Sequence, residues 1–258
     1  MKKKVILSVL FLWAIFTIYA QDAESIVKSS RNRIKADTVS MRSRMVIQAK
    51  DGSTSERVID NYSKDGPNGA RNIIIFKEPA SVAGSRFLTM AAKNGPDDRW
   101  IFLPSLGKVR RIASSEGSGS FMGTDFSYDD ISATSRGAEL DAHTLLREEN
   151  FNGSACYVIQ SVPKDGSFQY SKMVQWITKD TFIIMKIELY DKKNTLVKTV
   201  EMSGVKTIQD RLTVTVTKMT THAAGTSTTI TYEIVKYNDP IPEGVFTTAY
   251  LETGKAAK

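Results

Sequence analysis

The chain has 258 residues, 41% of them hydrophobic, with 35 basic against 28 acidic side chains for a net charge of +7. A single cysteine, Cys156, excludes a fold stapled by its own disulfides, so stability has to come from a packed core. The basic residues are interspersed with acidic ones rather than gathered into a stripe, which argues against a nucleic-acid-binding protein.

The first predicted element is a leader. Lys2, Lys3 and Lys4 form a positive start, Val5 to Ile18 is almost wholly apolar, and Ala20 is a small residue suited to cleavage. The apolar run is shorter than the ~20 residues a bilayer-spanning helix needs, so it reads as a secretory signal peptide over 1–20. No cysteine lies near the cleavage point, which excludes a lipoprotein signal. Losing the three lysines leaves 32 basic against 28 acidic residues, a net of +4. The mature protein is therefore expected to begin near Gln21 outside the cytoplasm, as one domain of roughly 238 residues, 21–258.

Asp22 to Thr38 reads as a polar amphipathic helix, with Ala23, Ile26, Val27 and Ile34 along one stripe. From Met41 the period changes to two. Met41, Met45 and Ile47 alternate with Arg42, Arg44 and Gln48, and Asp51-Gly52 makes a turn. Strands are expected again over Arg57–Tyr62, Asn72–Phe76, Phe87–Ala91 and Arg99–Leu103, with a turn at 64–69. Ala138 to Leu146 reads as a short helix, and Cys156, inside Ala155-Cys156-Tyr157-Val158-Ile159, as a small buried strand residue.

The C-terminal half alternates more cleanly. Lys172–Thr178 and Leu196–Val205 are strands, and Ile183, Met185, Ile187 and Leu189 oppose Lys186, Glu188 and Tyr190. Leu212, Val214 and Val216 are expected to oppose Thr213, Thr215 and Thr217, with the aliphatic side inward, and Ile230, Tyr232 and Ile234 to oppose Thr231 and Glu233. Ten or eleven sequential strands with short links predict an antiparallel meander. The expected fold is mainly β: a half-open antiparallel barrel covered by the N-terminal helix and a short central helix or loop lid. Its interior is either an apolar cavity or is filled by side chains, and the periodicity leaves both open.

The densest stretch is "DRWIFLPSLGKVRRIASSEGSGSFMGTDFSYDDI", Asp98 to Ile131. Trp100, Phe102 and their neighbours put large apolar groups on both faces of one strand, so the outer face needs cover from protein or from a ligand. Ser114 to Ser120 is too rich in Gly and Ser to hold a rigid shape unaided. Phe121 and Met122 then form either a lid over a cavity or a staple onto the core. Arg110 and Arg111 are positioned for a lipid phosphate or an anionic membrane surface, or for pairing with Asp125, Asp129 or Asp130.

Other chemistries find little support. There is no nucleophile elbow, paired-histidine helix, phosphate-cradling loop or Cys-x-x-Cys pair, and His143 and His222 are isolated. Three carboxylates at Asp125, Asp129 and Asp130 leave open a hydrolase acting on glycosidic bonds, although such a cluster reads more simply as a solvated loop. A calcium loop would need a glycine and a terminal glutamate that this segment lacks. No cofactor or metal signature remains.

The central segment resembles the outer-membrane lipoprotein-sorting protein family, relatives of the lipoprotein carriers LolA and LolB. The residues that carry the likeness are Asp98, Trp100, Phe102-Leu103-Pro104, Lys108 to Ile112, and Phe121-Met122-Gly123 with Asp125-Phe126, Tyr128 and Asp130. "FIIMKIELYDKKNTLVKTVEMSGVK" is similar to the meander of that superfamily and "IPEGVFTTAYLE" to its tail. The resemblance implies a periplasmic carrier that binds the acyl chains of a lipoprotein or lipid in an apolar barrel cavity, without catalysis. Expected partners are an inner-membrane transporter and an outer-membrane acceptor, with peripheral membrane contact at most and no nucleic acid. Trp100, Phe102, Leu103, Phe121, Met122, Phe126 and Tyr128 are the expected lining or lid. The rival within the same resemblance is an envelope sensor or interaction module, or an accessory partner of a lipid exporter of the resistance-nodulation-division type.

Overall fold

The computed structural model describes residues 23–66, 69–92, 97–133, 136–166 and 168–256. The expected leader, its cleavage point and part of the 64–69 turn lie outside the described residues. Among the described residues fifteen strands, more than the ten or eleven expected because several are short, run in chain order as β1 (Thr38–Gln48), β2 (Thr54–Gly66), β3 (Gly69–Glu78), β4 (Arg86–Met90), β5 (Asp98–Leu103), β6 (Lys108–Arg111), β7 (Asp141–Phe151), β8 (Ser154–Pro163), β9 (Lys172–Thr178), β10 (Ile184–Tyr190), β11 (Leu196–Ser203), β12 (Lys206–Ile208), β13 (Arg211–Thr213), β14 (Val216–Thr221) and β15 (Thr226–Tyr237). Among the described residues the α-helices are α1 over 23–31, α2 (Tyr128–Ser132) and α3 (Thr248–Thr253).

The chain divides into two compact units. The first joins the described residues up to Ile34 to Gly137–Glu201; the second joins Lys35–Arg136 to the described residues from Met202. In the second unit eight antiparallel strands follow the order β6-β5-β4-β3-β2-β1-β15-β14, and β12 and β13 form a separate small pair. In the first unit the order is β10-β9-β8-β7, with β11 beside β10. Neither sheet closes on itself, in keeping with the open, antiparallel, mainly-β fold the alternation predicts.

Within the first unit, α1 buries Ala23, Ile26 and Val27 against Ala138, Ile159 and Ile177. Each buried valine or isoleucine of this set contributes about 1.5–3 kcal/mol, and each alanine methyl about 0.8 kcal/mol. The helix is shorter than the expected 22–38. Asn32 still bonds back to the Lys28 carbonyl, but the chain then leaves the axis. The Asp37 N–H donates to Asn238 Oδ1 and the Thr38 hydroxyl to the Asp239 carbonyl, which commits this stretch to β1.

A second correction concerns Ala138 to Leu146. Only Ala138–Leu140 is helical, as one 3₁₀ turn, and β7 starts at Asp141. A β-bulge between Leu145 and Arg147 interrupts the register with β8 and breaks the two-residue period. Two adjacent leucines, Leu145 and Leu146, therefore look helical in the sequence although they belong to a strand. Beneath α1's partners, His143 is buried. Its Nε2–H donates to the Ala138 carbonyl (2.8 Å), Nδ1 shares a hydrogen bond with the Ser161 hydroxyl (2.8 Å), and Gln175 Nε2 donates to the same oxygen (2.8 Å). That chain holds the ring in place in a structural role. Cys156 is also fully buried, as expected, and burial pushes its thiol up.

The third correction is the sidedness of 212–217. Thr213, Thr215 and Thr217 are the buried residues and Leu212 is exposed. The hydroxyls carry partners inward: Thr213 shares a hydrogen bond with the Tyr237 hydroxyl at 2.8 Å and Thr215 donates to the Gly204 carbonyl at 2.5 Å. A satisfied hydroxyl removes most of the cost of burying threonine.

Candidate functional site

The dense segment belongs to the second unit, where β5 presents opposite faces to two different covers. Ile101 pairs with Phe87 of β4 and faces one way; Trp100 pairs with Leu88 and, with Phe102, faces the other.

The Ile101 face is covered by the chain from Ser114 to Ser132. Phe121 is fully buried, its ring centroid 5.1 Å from Phe87, 5.8 Å from Phe76 and 5.8 Å from Tyr128. Offset and edge-on rings at these separations add to area burial. The Gly/Ser stretch is ordered by its own backbone: Glu116, Gly117 and Gly119 bond back to Ala113, Ser114 and Glu116. Phe121 then pairs with Phe126 (N–H to carbonyl, 2.7 Å) across a turn in which Met122 and Gly123 both have positive φ. Arg57 donates to the Met122 carbonyl at the tip of that turn.

The acidic cluster separates into three tasks. Asp125 is buried, accepting from the hydroxyls of Thr226 and Thr228 on β15 (2.7 Å for Thr228), while its own N–H donates to Thr228 Oγ1 at 3.0 Å. Asp129 meets the buried Arg99 guanidinium at 2.6 Å. Asp130 completes a capping box with Ser127 at the start of α2. Arg110 and Arg111 therefore have other partners than the expected carboxylates. Arg110 reaches Glu116 at 2.6 Å and Arg111 reaches Asp98, both at exposed positions on and beside the edge strand β6. The loop after β6 brings Glu116 back to Arg110, and the β5–β6 pairing sets Asp98 beside Arg111. Among the described residues no group of His, Cys, Asp and Glu is placed to hold a metal ion, and no helix is long and apolar enough to cross a membrane.

The Trp100 face is covered by the C-terminal segment. The 3₁₀ turn Glu243–Phe246 and α3 bring Val245, Phe246 and Leu251 onto Ile73 and Leu88, with Trp100, Phe102 and Val109 packed alongside. Arg86 ties this cover down, donating to the Leu251 carbonyl at 2.7 Å with its guanidinium 5.3 Å from the Phe102 ring. So the apolar outer face of β5 receives its cover from protein. The seven expected lining residues fall on two faces: Trp100 and Phe102 under the C-terminal segment, Phe121, Phe126 and Tyr128 with the 114–132 cover. Leu103 and Met122 are half-buried, at the strand end and the loop turn.

Glu243 clamps the C-terminal cover through Arg71 (2.7 Å) and Lys64. Hydrogen bonds from Arg71 and then Lys64 hold its carboxyl down at about 2, against an ordinary 4.5. The folded value lies below the unfolded one, so the clamp is fully present above about pH 4.5 and is lost as pH falls toward about 2. Glu243→Gln should remove that dependence: from pH 5 to pH 2.5 the variant's unfolding midpoint should fall less than the parent's. Parallel curves would show that the clamp adds nothing.

On the same face a cleft of about 480 Å³ opens between the C-terminal segment and strands β1, β2 and β15. Ser40, Arg42, Asp60, Tyr62, Lys236 and Tyr250 line it, beside the lip Pro240-Ile241-Pro242. Arg42 binds Asp60 through both Nε (2.7 Å) and Nη2 (2.9 Å). Burial pushes the Tyr62 phenol up, with Asp60 and Tyr250 adding to the shift and Arg42 opposing it. These residues escape a sequence reading because Arg42 and Lys236 occupy wet positions of alternating strands. Only Asp60, charged within an otherwise extended β pattern and 7% exposed, carries a signal.

A model for a family described only as an uncharacterized protein matches residues 68–253. A domain described as an outer membrane lipoprotein-sorting protein from Vibrio parahaemolyticus is 29% identical with a TM-score of 0.85, over 90% of this chain and 99% of that one. A DUF1329 family protein from Desulfovibrio piger is also 29% identical, with a TM-score of 0.84 and the same coverage. A LolA superfamily protein from Nitrosomonas europaea, 23% identical with a TM-score of 0.72 over 88% of this chain and 98% of its own, shares the fold. No curated protein matches the chain.

Proposed function

Because this chain belongs to the family of uncharacterized proteins matched over residues 68–253 and adopts the fold of LolA superfamily proteins, we propose that it is a periplasmic, non-catalytic carrier of lipid or lipoprotein acyl chains. The observation that carries the reading is the likeness, along nine-tenths of the chain, to a domain described as sorting lipoproteins for the outer membrane. Cleavage near Ala20 would release residues 21–258 to the periplasm.

The apolar face capped by Phe121 is the proposed acyl site. In the structure Phe121 and Tyr128 occupy the space against Phe76 and Phe87. An acyl chain would take their place once the 114–132 cover swings away, with Phe121, Met122, Phe126 and Tyr128 as the lid. Trp100, Phe102 and Leu103 then brace the sheet from behind. Arg110 and Arg111, exposed on β6, are available to an anionic headgroup or membrane surface at the cost of weak surface pairs. Each buried methylene is worth ~0.8 kcal/mol, so a chain of ~14–16 carbons gains on the order of 11–13 kcal/mol gross. Displacing rings that are already buried, and ordering the chain, subtracts from this and keeps the binding reversible.

Native mass spectrometry of the protein purified from its own envelope, with extraction and identification of bound lipid, tests the reading. Acylated species at one per protein are the expected result. Protein that is lipid-free from the envelope and does not take up acyl chains in vitro would leave an interaction module in its place.

A further inference from the structure

We propose that the cleft lined by Arg42, Asp60, Tyr62, Lys236, Asp239 and Tyr250 is a binding site for a phosphate–ammonium zwitterion, the headgroup chemistry of phosphatidylethanolamine. The inference deepens the carrier reading, on which its physiological source rests, but the site is on the face opposite the proposed acyl site and is built from different residues.

The charge arrangement points to the class of ligand. Two cations and two anions share the cleft, Arg42 with Asp60 and Lys236 with Asp239. The Arg42 pair uses Nε and Nη2, which leaves Nη1 directed away from the carboxylate it holds. Lys236 and Asp239 are 3.4 Å apart with side chains 60% and 46% exposed, a pair loose enough to part for a ligand. A phosphate can therefore be met by Arg42 Nη1 and the Lys236 ammonium, as charge-assisted hydrogen bonds. The Tyr62 phenol, protonated at neutral pH, is a further donor facing the cleft. A primary ammonium one ethylene unit away finds Asp239 and the faces of Tyr62 and Tyr250. Beside the charges, Ile234 is 47% exposed and Ile241 and Val245 are buried, an apolar ledge for the glycerol end and first methylenes.

A purely anionic head would leave Asp239 without a positive partner once Lys236 turns to the phosphate, whereas Asp60 keeps Arg42. Residues 21–258 carry 32 basic against 28 acidic side chains, a net of +4, and would draw anionic lipids without specificity. A preference for the zwitterion thus runs against the whole-molecule trend, which makes it diagnostic.

The exported protein is titrated calorimetrically, at physiological salt, with dihexanoyl-phosphatidylethanolamine and dihexanoyl-phosphatidylglycerol below their micelle concentrations. Soluble glycerophosphoethanolamine and the uncharged apolar probe N-phenyl-1-naphthylamine are run in parallel. The expected result is roughly tenfold tighter binding of the ethanolamine lipid, lost in Arg42→Gln and reduced in the exposed-site variants Lys236→Gln and Asp239→Asn. Weak binding of glycerophosphoethanolamine with the same mutational pattern places recognition in the headgroup; if it equals the lipid in affinity, the ligand is the free phosphodiester and the lipid source is wrong. Equal affinity for both lipids, or a preference that survives Lys236→Gln and Asp239→Asn in folded protein, overturns the proposal. Uptake of the apolar probe without headgroup selectivity would sink this inference and leave the carrier reading standing. Selectivity without uptake would do the reverse.

Discussion

Phe121→Ala should destabilise the second unit by about 3–5 kcal/mol, the usual range for removing a fully buried phenylalanine. The ring touches three other aromatic rings and has no exposed surface, so truncation leaves a cavity that the surrounding strands cannot readily close. Denaturant unfolding followed by circular dichroism measures the loss; a change below about 1 kcal/mol would mean that the cover is not part of the core. A second readout separates the lid from the staple. If the rings occupy the acyl site in the empty protein, the cavity opened by Phe121→Ala should take up N-phenyl-1-naphthylamine more strongly than the parent does, at denaturant-free conditions where the variant remains folded. A folded variant with unchanged uptake would make the aromatic cluster core alone and would move any acyl site elsewhere.

Much of this architecture can be read from alternation. β9 coincides with the run Lys172–Thr178, and β4, β5 and β10 fall within a residue of the expected strands, because each is a short apolar or alternating run bounded by turn residues. What escapes is of two kinds. One is a local irregularity: the bulge after Leu145 and the inward threonines of 213–217 depend on hydrogen bonds whose partners are many residues away. The other is the identity of covers. The apolar outer face of Trp100-Ile101-Phe102-Leu103 predicts that something lies over it, but Val245, Phe246 and Leu251 are more than a hundred residues downstream and show no complementary pattern. The same applies to charge. Arg110 and Arg111 sit close in sequence to three aspartates, yet Asp125 is drawn to Thr226 and Thr228 and Asp129 to Arg99. Sequence proximity names candidate pairs; the turn that orients each side chain chooses among them.

Asp129→Ala is the second large expected effect, about 3–5 kcal/mol, because it strands the Arg99 guanidinium in the interior without its counter-charge. Arg99 is 7% exposed, and Asp129 also anchors α2 through its own backbone, donating its N–H to the Gly117 carbonyl at 2.8 Å. Gly117 explains how the carboxylate reaches that position: a Cβ there would run into the Asp129 oxygens, so the loop needs glycine for space rather than for backbone conformation. Gly117→Ala should therefore reproduce part of the Asp129→Ala loss while leaving every charge in place. The double change Arg99→Leu with Asp129→Leu removes the stranded charge and should recover most of the stability, since an apolar pair of similar size can replace a buried ion pair. The pattern also tells structure from chemistry. An ion pair that fastens the 114–132 cover predicts faster hydrogen exchange across residues 117–130 in Asp129→Ala and protection restored in the double variant. A hydrolytic role for this carboxylate would instead show as a turnover activity abolished by Asp129→Asn and not recovered when the apolar pair restores the fold.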